Sequence, residues 1–308
     1  MLDCNWSSLQ SLRIVYRNYH SSQLSVLMSY SAPKPLVHGH RGCRGLRPEN
    51  TLPAFEYALR LGVDVLELDV VLSADGQVVV SHEPWFSPAI CLTPLGQRIP
   101  VGQEQAHNLF RLSYAEIRRY DCGQLQHPNF PEQVAQPAYK PLLTEVLALA
   151  ESLCLQLGPV RYSIEVKSEP HWDGVFHPAP AAYLPVVLRE LQAAGVLERS
   201  TLLSFDARIL RFARQLLPEL RTCLLIETPE AWPAAIQHLG FVPSVLGPDF
   251  TYVTPEALAE LRVLHHGVEI VPWTVNEPAD MAMLLSYGVD GITTDYPNRL
   301  LALLGRSG

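Results

Sequence analysis

Short apolar runs alternate with amphipathic helical patterns from about residue 36 to the C-terminus, and this alternation limits the folds that are open to the chain. Strand and helix patterns that alternate at this spacing predict a parallel sheet with helices packed outside it. Nine segments have the apolar character of strands: Leu36–His40, Val65–Val71, Val78–His82, Tyr162–Lys167, Thr201–Phe205, Thr222–Ile226, Ser244–Gly247, Glu269–Thr274 and Gly291–Thr294.

The short distance between the second and third segments decides how many strands belong to the parallel sheet. Only the six residues Leu72–Gln77 separate them, and these include Asp75-Gly76. A parallel crossover needs about a dozen residues or more, whereas Asp-Gly is typical of a hairpin turn. We therefore predict that Val78–His82 runs antiparallel to the strand before it. The other eight segments then form a TIM-type (β/α)8 barrel of the α/β class.

The domain organisation follows from the absence of a glycine- or serine-rich linker. We predict one barrel over residues 36–308, preceded by a loosely ordered extension, 1–35. The stretch 85–139 interrupts the alternation with several prolines and a single helical pattern, Tyr114–Tyr120. Long insertions in compact domains are often functional. We expect this one to cover the active site, and a surface excursion without a role is the alternative.

The charge balance and the hydropathy exclude two kinds of partner. The chain has 23 basic and 31 acidic residues, a net charge of −8, and no basic stripe. Because nucleic-acid binding needs a basic surface, we expect no nucleic-acid partner. No apolar run reaches the roughly 18 residues that a membrane span needs, so we expect no stable membrane insertion.

The cysteines bear on the cellular compartment. They are scattered without a C-x-x-C pair: Cys4, Cys43, Cys91, Cys122, Cys154 and Cys223. In a chain of this length such spacing favours reduced thiols over a disulfide framework. Since the N-terminus also lacks the pattern of a secretory signal, we predict a cytoplasmic protein.

Two strand patterns carry acidic residues close to their carboxyl ends. Glu67 and Asp69 lie two residues apart, so their side chains face the same side of the sheet, and Glu165 occupies a similar place in the fourth pattern. Carboxylates that point into a core are costly unless a cation holds them. We predict that these three residues bind one divalent cation, Mg²⁺ or Ca²⁺. An ion-pair network with Lys167 is the alternative.

Two histidines should lie beside this acidic site. His40 ends the first strand, and the predicted hairpin should return His82 to the neighbourhood of Glu67 and Asp69. One histidine could then take a proton from a nucleophile while the other protonates a leaving group. A single histidine is more often a structural residue, so the hypothesis depends on the pair.

Other strand ends supply residues for the remainder of a site. Arg41 and Lys167 could contact a non-bridging phosphate oxygen. Trp273 could line a pocket for the organic part of a substrate, or it could be a core residue. We expect Phe205 to serve packing and not to contact the substrate.

The order of these motifs resembles that of the glycerophosphodiester phosphodiesterase family. The motifs are His-Arg-Gly at 40–42, Pro-Glu-Asn-Thr at 48–51, Glu-x-Asp at 67–69, a histidine after an Asp-Gly turn, Glu-x-Lys at 165–167, Trp-Thr-x-Asn at 273–276 and Thr-Asp-x-Pro at 294–297. The resemblance implies a phospholipase-C-like barrel that hydrolyses small-molecule glycerophosphodiesters to sn-glycerol 3-phosphate and an alcohol. In that reaction a glycerol hydroxyl attacks phosphorus, and water then opens the cyclic phosphate. We expect a monomer or homodimer.

The resemblance also implies roles for individual residues. It makes His40 and His82 the acid–base pair and makes the three acidic residues named above the metal ligands. The positions implied to contact or neighbour the substrate are Arg41, Glu49, Lys167 and Trp273. One departure is Glu83, where the family usually has aspartate after the histidine. The longer side chain should alter the geometry around His82 without removing activity, and it puts a metal-binding role for Glu83 in doubt.

Three other functions account for parts of the sequence. A related barrel that cleaves phospholipid headgroups would have an apolar mouth, for which the insertion offers Trp85, Phe86, Leu109 and Phe110. A non-catalytic binding protein on this fold should lack a histidine or a carboxylate of the set, and none is missing. A metal-free glycosidase could use two of the carboxylates as acid and nucleophile, but the histidines and the arginine would then have no role.

Overall fold

The computed structural model describes residues 34–228 and 232–306. Most of the predicted extension, 1–35, lies outside the described residues. The rest contains a parallel barrel surrounded by helices, as the alternation predicts. Its strands are β1 (Leu36–Gly39), β2 (Val65–Leu72), β3 (Val78–Val80), β4 (Arg161–Val166), β5 (Ser200–Ser204), β6 (Arg221–Ile226), β7 (Val245–Pro248), β8 (Glu269–Ile270) and β9 (Gly291–Thr294).

The parallel strands lie in the order β8-β7-β6-β5-β4-β2-β1-β9, with β3 beside β2 but off this path. Backbone hydrogen bonds continue between the two ends of the series, from Asp290 N to Ile270 O at 2.9 Å and from Thr293 N to Pro272 O at 3.0 Å. β8 is shorter than the predicted Glu269–Thr274. Its ladder with β7 is interrupted where Pro248 has no N–H to donate, although Trp273 N still donates to Pro248 O at 3.1 Å.

Helices follow most of the strands and, except for α2 in the insertion, pack their apolar faces against the outside of the barrel. They are α1 (Leu52–Leu61), α2 (Tyr114–Ile117), α3 (Leu143–Leu157), α4 (Pro180–Ala193), α5 (Ala207–Leu216), α6 (Trp232–Leu239), α7 (Pro255–Leu264), α8 (Pro278–Tyr287) and α9 (Pro297–Leu303). Proline occupies one of the first two positions in α1, α4, α7, α8 and α9, where its missing N–H removes no helical hydrogen bond.

The predicted hairpin is confirmed. β3 pairs antiparallel with β2, with Val70 opposite Val80 and Leu72 opposite Val78. The turn is closed by Ser73 N to Gln77 O at 3.0 Å, and Gly76 has the positive φ of 76° that such turns require. The chain after β3 therefore returns to the carboxyl end of β2.

The insertion, 85–139, has a small hydrophobic core of its own. It includes Phe86, Leu109 and Ile117, and it packs against Val71 and Val79 on the side of the hairpin that faces away from the main core. The prediction of six reduced cysteines is wrong here, because Cys91 and Cys122 form a disulfide. The antiparallel contact of Leu92 with Asp121 brings the two cysteines together across 31 residues of sequence, which spacing alone cannot reveal. Among the other described cysteines, Cys43, Cys154 and Cys223 are free.

The turn after β1 contains a glycine, Gly42, that packs closely against the first helix. Gly42 has a φ of 84°, and a Cβ at this position would lie 2.8 Å from the carbonyl carbon of Ala54. Its N–H also bonds to Glu67 O on β2 at 3.2 Å. The close approach between this turn and the first helix therefore requires a residue without a side chain.

Replacing Gly42 with alanine should lower the free energy of unfolding by more than the cost of placing an L-residue in a left-handed conformation. Gly76→Ala is the matched control, because Gly76 has a φ of 76° but nothing within 4 Å of an added Cβ. A left-handed conformation costs an L-residue about 1–2 kcal/mol. We expect G76A to lose about that much in urea unfolding and G42A to lose clearly more. Equal losses would show that the contact with Ala54 is unimportant.

Candidate active site

Three acidic side chains meet at the carboxyl end of β2 and β4. Strand alternation puts Glu67 and Asp69 on one face of β2, and Glu165 is the direct partner of Asp69 on β4. One oxygen from each of the three lies within 4.8 Å of the others, and all three residues are buried. The strand register thus gathers the predicted carboxylates at one point.

The electrostatics of this group fit a bound cation. Burial and the neighbouring Asp69 charge raise the pKa of Glu67 well above its usual range. Burial, together with the same neighbour, also raises the pKa of Glu165 despite the opposing charge of Lys167. Oδ1 of Asp69 is buried and accepts no hydrogen bond from any residue that the structure describes. Closely spaced carboxylate oxygens with an unused lone pair are the donor set that Mg²⁺ and Ca²⁺ prefer.

Two basic side chains border the carboxylates. The backbone N–H of Arg41 donates to Glu67 Oε2 at 2.7 Å, and its guanidinium Nε lies 3.4 Å from Asp69 Oδ2. Lys167 Nζ donates to Glu165 Oε1 at 2.6 Å and lies 3.8 Å from Asp69 Oδ1. The ion-pair network considered from the sequence is therefore present. The carboxylates of this network are also those of the candidate metal site, and the positively charged side chains of Arg41 and Lys167 lie at the edge of that site.

The predicted glutamate at position 49 lies behind Arg41. Glu49 Oε1 accepts a hydrogen bond from Arg41 Nη1 at 2.7 Å, and its other oxygen is 3.7 Å from Nε2 of His127 in the insertion. Opposing the effect of burial, the charges of Arg41 and Arg44 lower the pKa of Glu49. Glu49 thus holds the Arg41 side chain by a hydrogen bond from the side away from the cavity.

Asn50 belongs to the site although the sequence patterns indicated only the start of a helix there. Its Nδ2 donates to Asp69 Oδ2 at 2.8 Å, and the residue has a positive φ of 54°. Asparagine tolerates this conformation better than most residues. The position of Asn50 within the Pro-Glu-Asn-Thr motif was the one available signal.

His40 has a buried carboxylate partner. Its Nδ1 lies 2.6 Å from Asp295 Oδ1, and its Nε2 lies 4.0 Å from Glu67 Oε2. Asp295 also accepts hydrogen bonds from Arg44 Nε at 2.9 Å and Asn276 Nδ2 at 2.8 Å. Although burial opposes it, His40 and Arg44 lower the pKa of Asp295, so the ionised carboxylate is an acceptor only.

The ring nitrogens of His40 therefore have different roles. Nδ1 must carry the proton that it shares with Asp295, which leaves Nε2 as the acceptor facing the carboxylates. Burial lowers the pKa of His40 to about 4, although Asp295 opposes that shift. His40 is thus neutral near pH 7 and can accept a proton at Nε2.

His82 has a similar partner but a more open position. Its Nδ1 lies 2.8 Å from Glu83 Oε1, and about 30% of each side chain is exposed. Although burial opposes ionisation, the hydrogen bond and charge of His82 lower the pKa of Glu83 to about 2. The Nδ1 proton is again directed to a carboxylate, so Nε2 is available to the cavity.

These residues line the upper part of a cavity of about 810 Å³ that runs through the barrel, from the carboxyl ends of the strands to residues at their amino ends such as Arg161 and Glu269. Besides both histidines, Arg41, Lys167 and two of the three carboxylates, its wall contains aromatic rings. Trp273 donates from Nε1 to Gly247 O at 2.7 Å and meets Phe205 edge to face, with ring centroids 5.5 Å apart. Phe205 thus packs on Trp273, as expected, but it is also 39% exposed and lines the cavity.

A second aromatic group lies where the insertion begins. Trp85 and Trp172 both line the cavity, with ring centroids 5.6 Å apart, and Phe176 packs against both rings. Trp85 follows His82 by three residues, and Trp172 lies in the segment after β4. The cavity therefore combines a charged floor with apolar walls.

Among the described residues, no helix has the length and apolar character needed to cross a membrane.

Comparisons with known proteins identify the family of the chain. Residues 40–299 match the model of the glycerophosphoryl diester phosphodiesterase family. A glycerophosphodiester phosphodiesterase of Caldanaerobacter subterraneus subsp. tengcongensis is 30% identical over 279 residues, which cover 89% of this chain and 100% of that protein. The corresponding enzyme of Bacillus subtilis is 29% identical, over 87% of this chain and 86% of its own length.

Solved structures show the same fold. A structure from Silicibacter pomeroyi, assigned to the glycerophosphoryl diester phosphodiesterases, has a TM-score of 0.78 and 35% identity, covering 90% of this chain and 97% of that one. A phosphodiesterase of Oleispira antarctica, solved in complex with the product sn-glycerol-3-phosphate, has a TM-score of 0.69 at 20% identity and covers 88% of this chain and 97% of its own. The chain belongs to the glycerophosphoryl diester phosphodiesterase family and is an enzyme of that family.

Proposed function

We propose that the chain hydrolyses glycerophosphodiesters to sn-glycerol 3-phosphate and an alcohol, with one divalent cation, Mg²⁺ or Ca²⁺. The observation that supports this most directly is the meeting of three buried carboxylates with two carboxylate-backed histidines on one cavity. The product sn-glycerol-3-phosphate occupies a related structure, that of the Oleispira antarctica phosphodiesterase. The expectations of a cytoplasmic location and of a monomeric or homodimeric state stay predictions.

In this proposal Glu67, Asp69 and Glu165 hold the cation. When bound, the cation neutralises and orients the phosphoryl oxygens of the substrate. Arg41 and Lys167 lie beside the same carboxylates, so their remaining N–H groups can bind a non-bridging oxygen of the diester. The phosphate is then held from two sides by charges that the protein positions before the substrate arrives.

The two histidines divide the proton transfers. One, as the neutral imidazole, accepts the proton of the attacking hydroxyl at Nε2. The other, as the imidazolium with a proton on each ring nitrogen, delivers its Nε2 proton to the oxygen of the leaving alcohol. Asp295 and Glu83 hold the opposite ring nitrogens, which keeps each Nε2 directed at the substrate. The apolar walls exclude water from the reacting groups and contact the organic part of the diester.

The structure disfavours a membrane-facing mouth, which the phospholipid alternative requires. Of the four apolar residues that could have formed it, Phe86 and Leu109 are fully buried in the core of the insertion, and Phe110 is half-buried against the main core. Trp85 lines the cavity and packs on Trp172. The small-molecule diester is therefore the better substrate for this pocket.

Asp69→Asn should reduce affinity for the cation and hydrolysis together, because it removes one of three carboxylates without changing the shape of the side chain. We expect Mg²⁺ or Ca²⁺ affinity to fall at least about 10-fold in calorimetric titration. Asp75→Asn, on the exposed hairpin turn, is the control and should change neither quantity. Full activity of metal-stripped protein in excess chelator would disprove the metal hypothesis.

His40→Ala and His82→Ala should each lower kcat roughly 10²–10⁴-fold while cation binding persists, since each removes one proton transfer. A glycerophosphodiester with a p-nitrophenyl leaving group needs little protonation. This substrate should restore the kcat of the variant that lacks the general acid and leave the kcat of the other variant low, which assigns the two roles. His238→Ala, on the exposed face of α6, is the control. Near-normal turnover of both folded variants would refute the assignment.

We also propose that the insertion selects the alcohol moiety through Trp85. Trp85→Ala should change kcat/KM among the choline, ethanolamine, inositol and glycerol diesters unequally, by about 10-fold between the most and least affected. Leu95→Ala is the control, because Leu95 lies in the same insertion and is 79% exposed. An equal loss for every diester would mean that Trp85 does not discriminate between them.

A further inference from the structure

Lys140 is a buried lysine that the proposed reaction does not use. The residue is only 5% exposed. It reaches the interior because the segment before α3 runs antiparallel to β3, with Val79 opposite Leu142 and Val80 N donating to Pro141 O at 2.8 Å. A buried ammonium group is costly unless it is hydrogen-bonded and paired. The hydrogen-bond partners of the Lys140 ammonium group therefore indicate which part of the structure it stabilises.

The ammonium group of Lys140 binds the turn that carries His82. Lys140 Nζ donates to Ser81 Oγ at 2.7 Å, and Ser81 Oγ donates to the backbone carbonyl of Glu83 at 2.6 Å. Ser81 N donates to Asp69 O on β2 at 3.0 Å. One fully buried hydroxyl thus connects the residues on both sides of His82, and Lys140 holds that hydroxyl in place.

The charge of Lys140 acts on the same turn. The ionisable groups around it are Glu83 in the turn, Glu49 and Arg41 in the loop between β1 and α1, and Asp69 on β2. Together with His82 and Arg41, Lys140 favours the ionised form of Glu83. That carboxylate accepts the Nδ1 proton of His82 at 2.8 Å. Lys140 therefore contacts the turn that carries His82 and Glu83, and it is not one of the residues that line the cavity.

We propose that Lys140 is a positioning residue, which through Ser81 and Glu83 holds His82 in the Nδ1–H tautomer with Nε2 directed at the cavity. This inference rests on the proposed function of His82. It also accounts for Glu83. The backbone of Glu83 is held by Ser81 while its side chain reaches back to His82, and both contacts are stabilised by one buried cation.

A double-mutant cycle tests the proposal. Lys140→Met keeps the length of the side chain and removes its charge. We expect it to lower kcat about 10-fold, with KM and Mg²⁺ affinity unchanged, as is typical when a partner of a functional histidine is lost. In a His82→Ala background the same change should alter kcat less than about 2-fold, because its effect passes through His82. The matched control is Tyr139→Phe, next to Lys140 in sequence, which removes a hydrogen bond from Tyr139 to Glu145.

Ser81→Ala provides a second variant, and it decides the question if Lys140→Met does not fold. It should lower kcat in the wild-type background and not in His82→Ala. Equal losses in both backgrounds, or normal kcat in each folded single variant, would overturn the proposal. Nitrogen NMR of labelled histidine adds a readout that is independent of activity. His82 should show one Nδ1–H tautomer in the wild type and a mixture in the variants, even if the chain proved inactive on diesters. An unchanged tautomer would also overturn the proposal.

Discussion

The mutual repulsion of three buried carboxylates is the constraint on which this end of the barrel depends. Glu67, Asp69 and Glu165 lie within 4.8 Å of one another in a region from which water is largely excluded. Ionised groups in such a position need compensation. A backbone N–H, an asparagine amide and two basic side chains supply part of it. The loop after β1 is shaped by that requirement, since Arg41 and Asn50 both have positive φ and both donate to these carboxylates.

Periodicity made the centre of this arrangement predictable. Two carboxylates separated by one residue on a strand must share a face, and the Asp-Gly turn could only return the chain alongside that strand. The register between β2 and β4 could not be predicted from the sequence, and this register decides which residue of β4 lies beside Asp69. The register makes that residue Glu165. A shift of one position would have turned Glu165 to the other face of the sheet.

The parts that escaped prediction are contacts between segments far apart in sequence. Asp295 lies 255 residues from His40, and Lys140 lies 59 residues from Ser81. Neither pairing leaves a trace in composition or in the spacing of apolar residues. The cysteines show the same limit, because Cys91 and Cys122 meet only through the fold of the insertion. The motif pattern contained Asp295 within Thr-Asp-x-Pro, but it could not show that this carboxylate orients a histidine.

The two histidines are not equivalent, although each donates a proton from Nδ1 to a carboxylate. Asp295 is fully buried and held by an arginine and an asparagine, so the ring of His40 has little freedom. Burial also keeps His40 neutral near pH 7. His82 and Glu83 lie at the edge of the cavity, about 30% exposed, where water can exchange protons with them. Paired groups whose environments differ in this way can divide acid and base chemistry between them. The barrel achieves this difference by taking one histidine from inside the ring of strands and the other from a hairpin beside it.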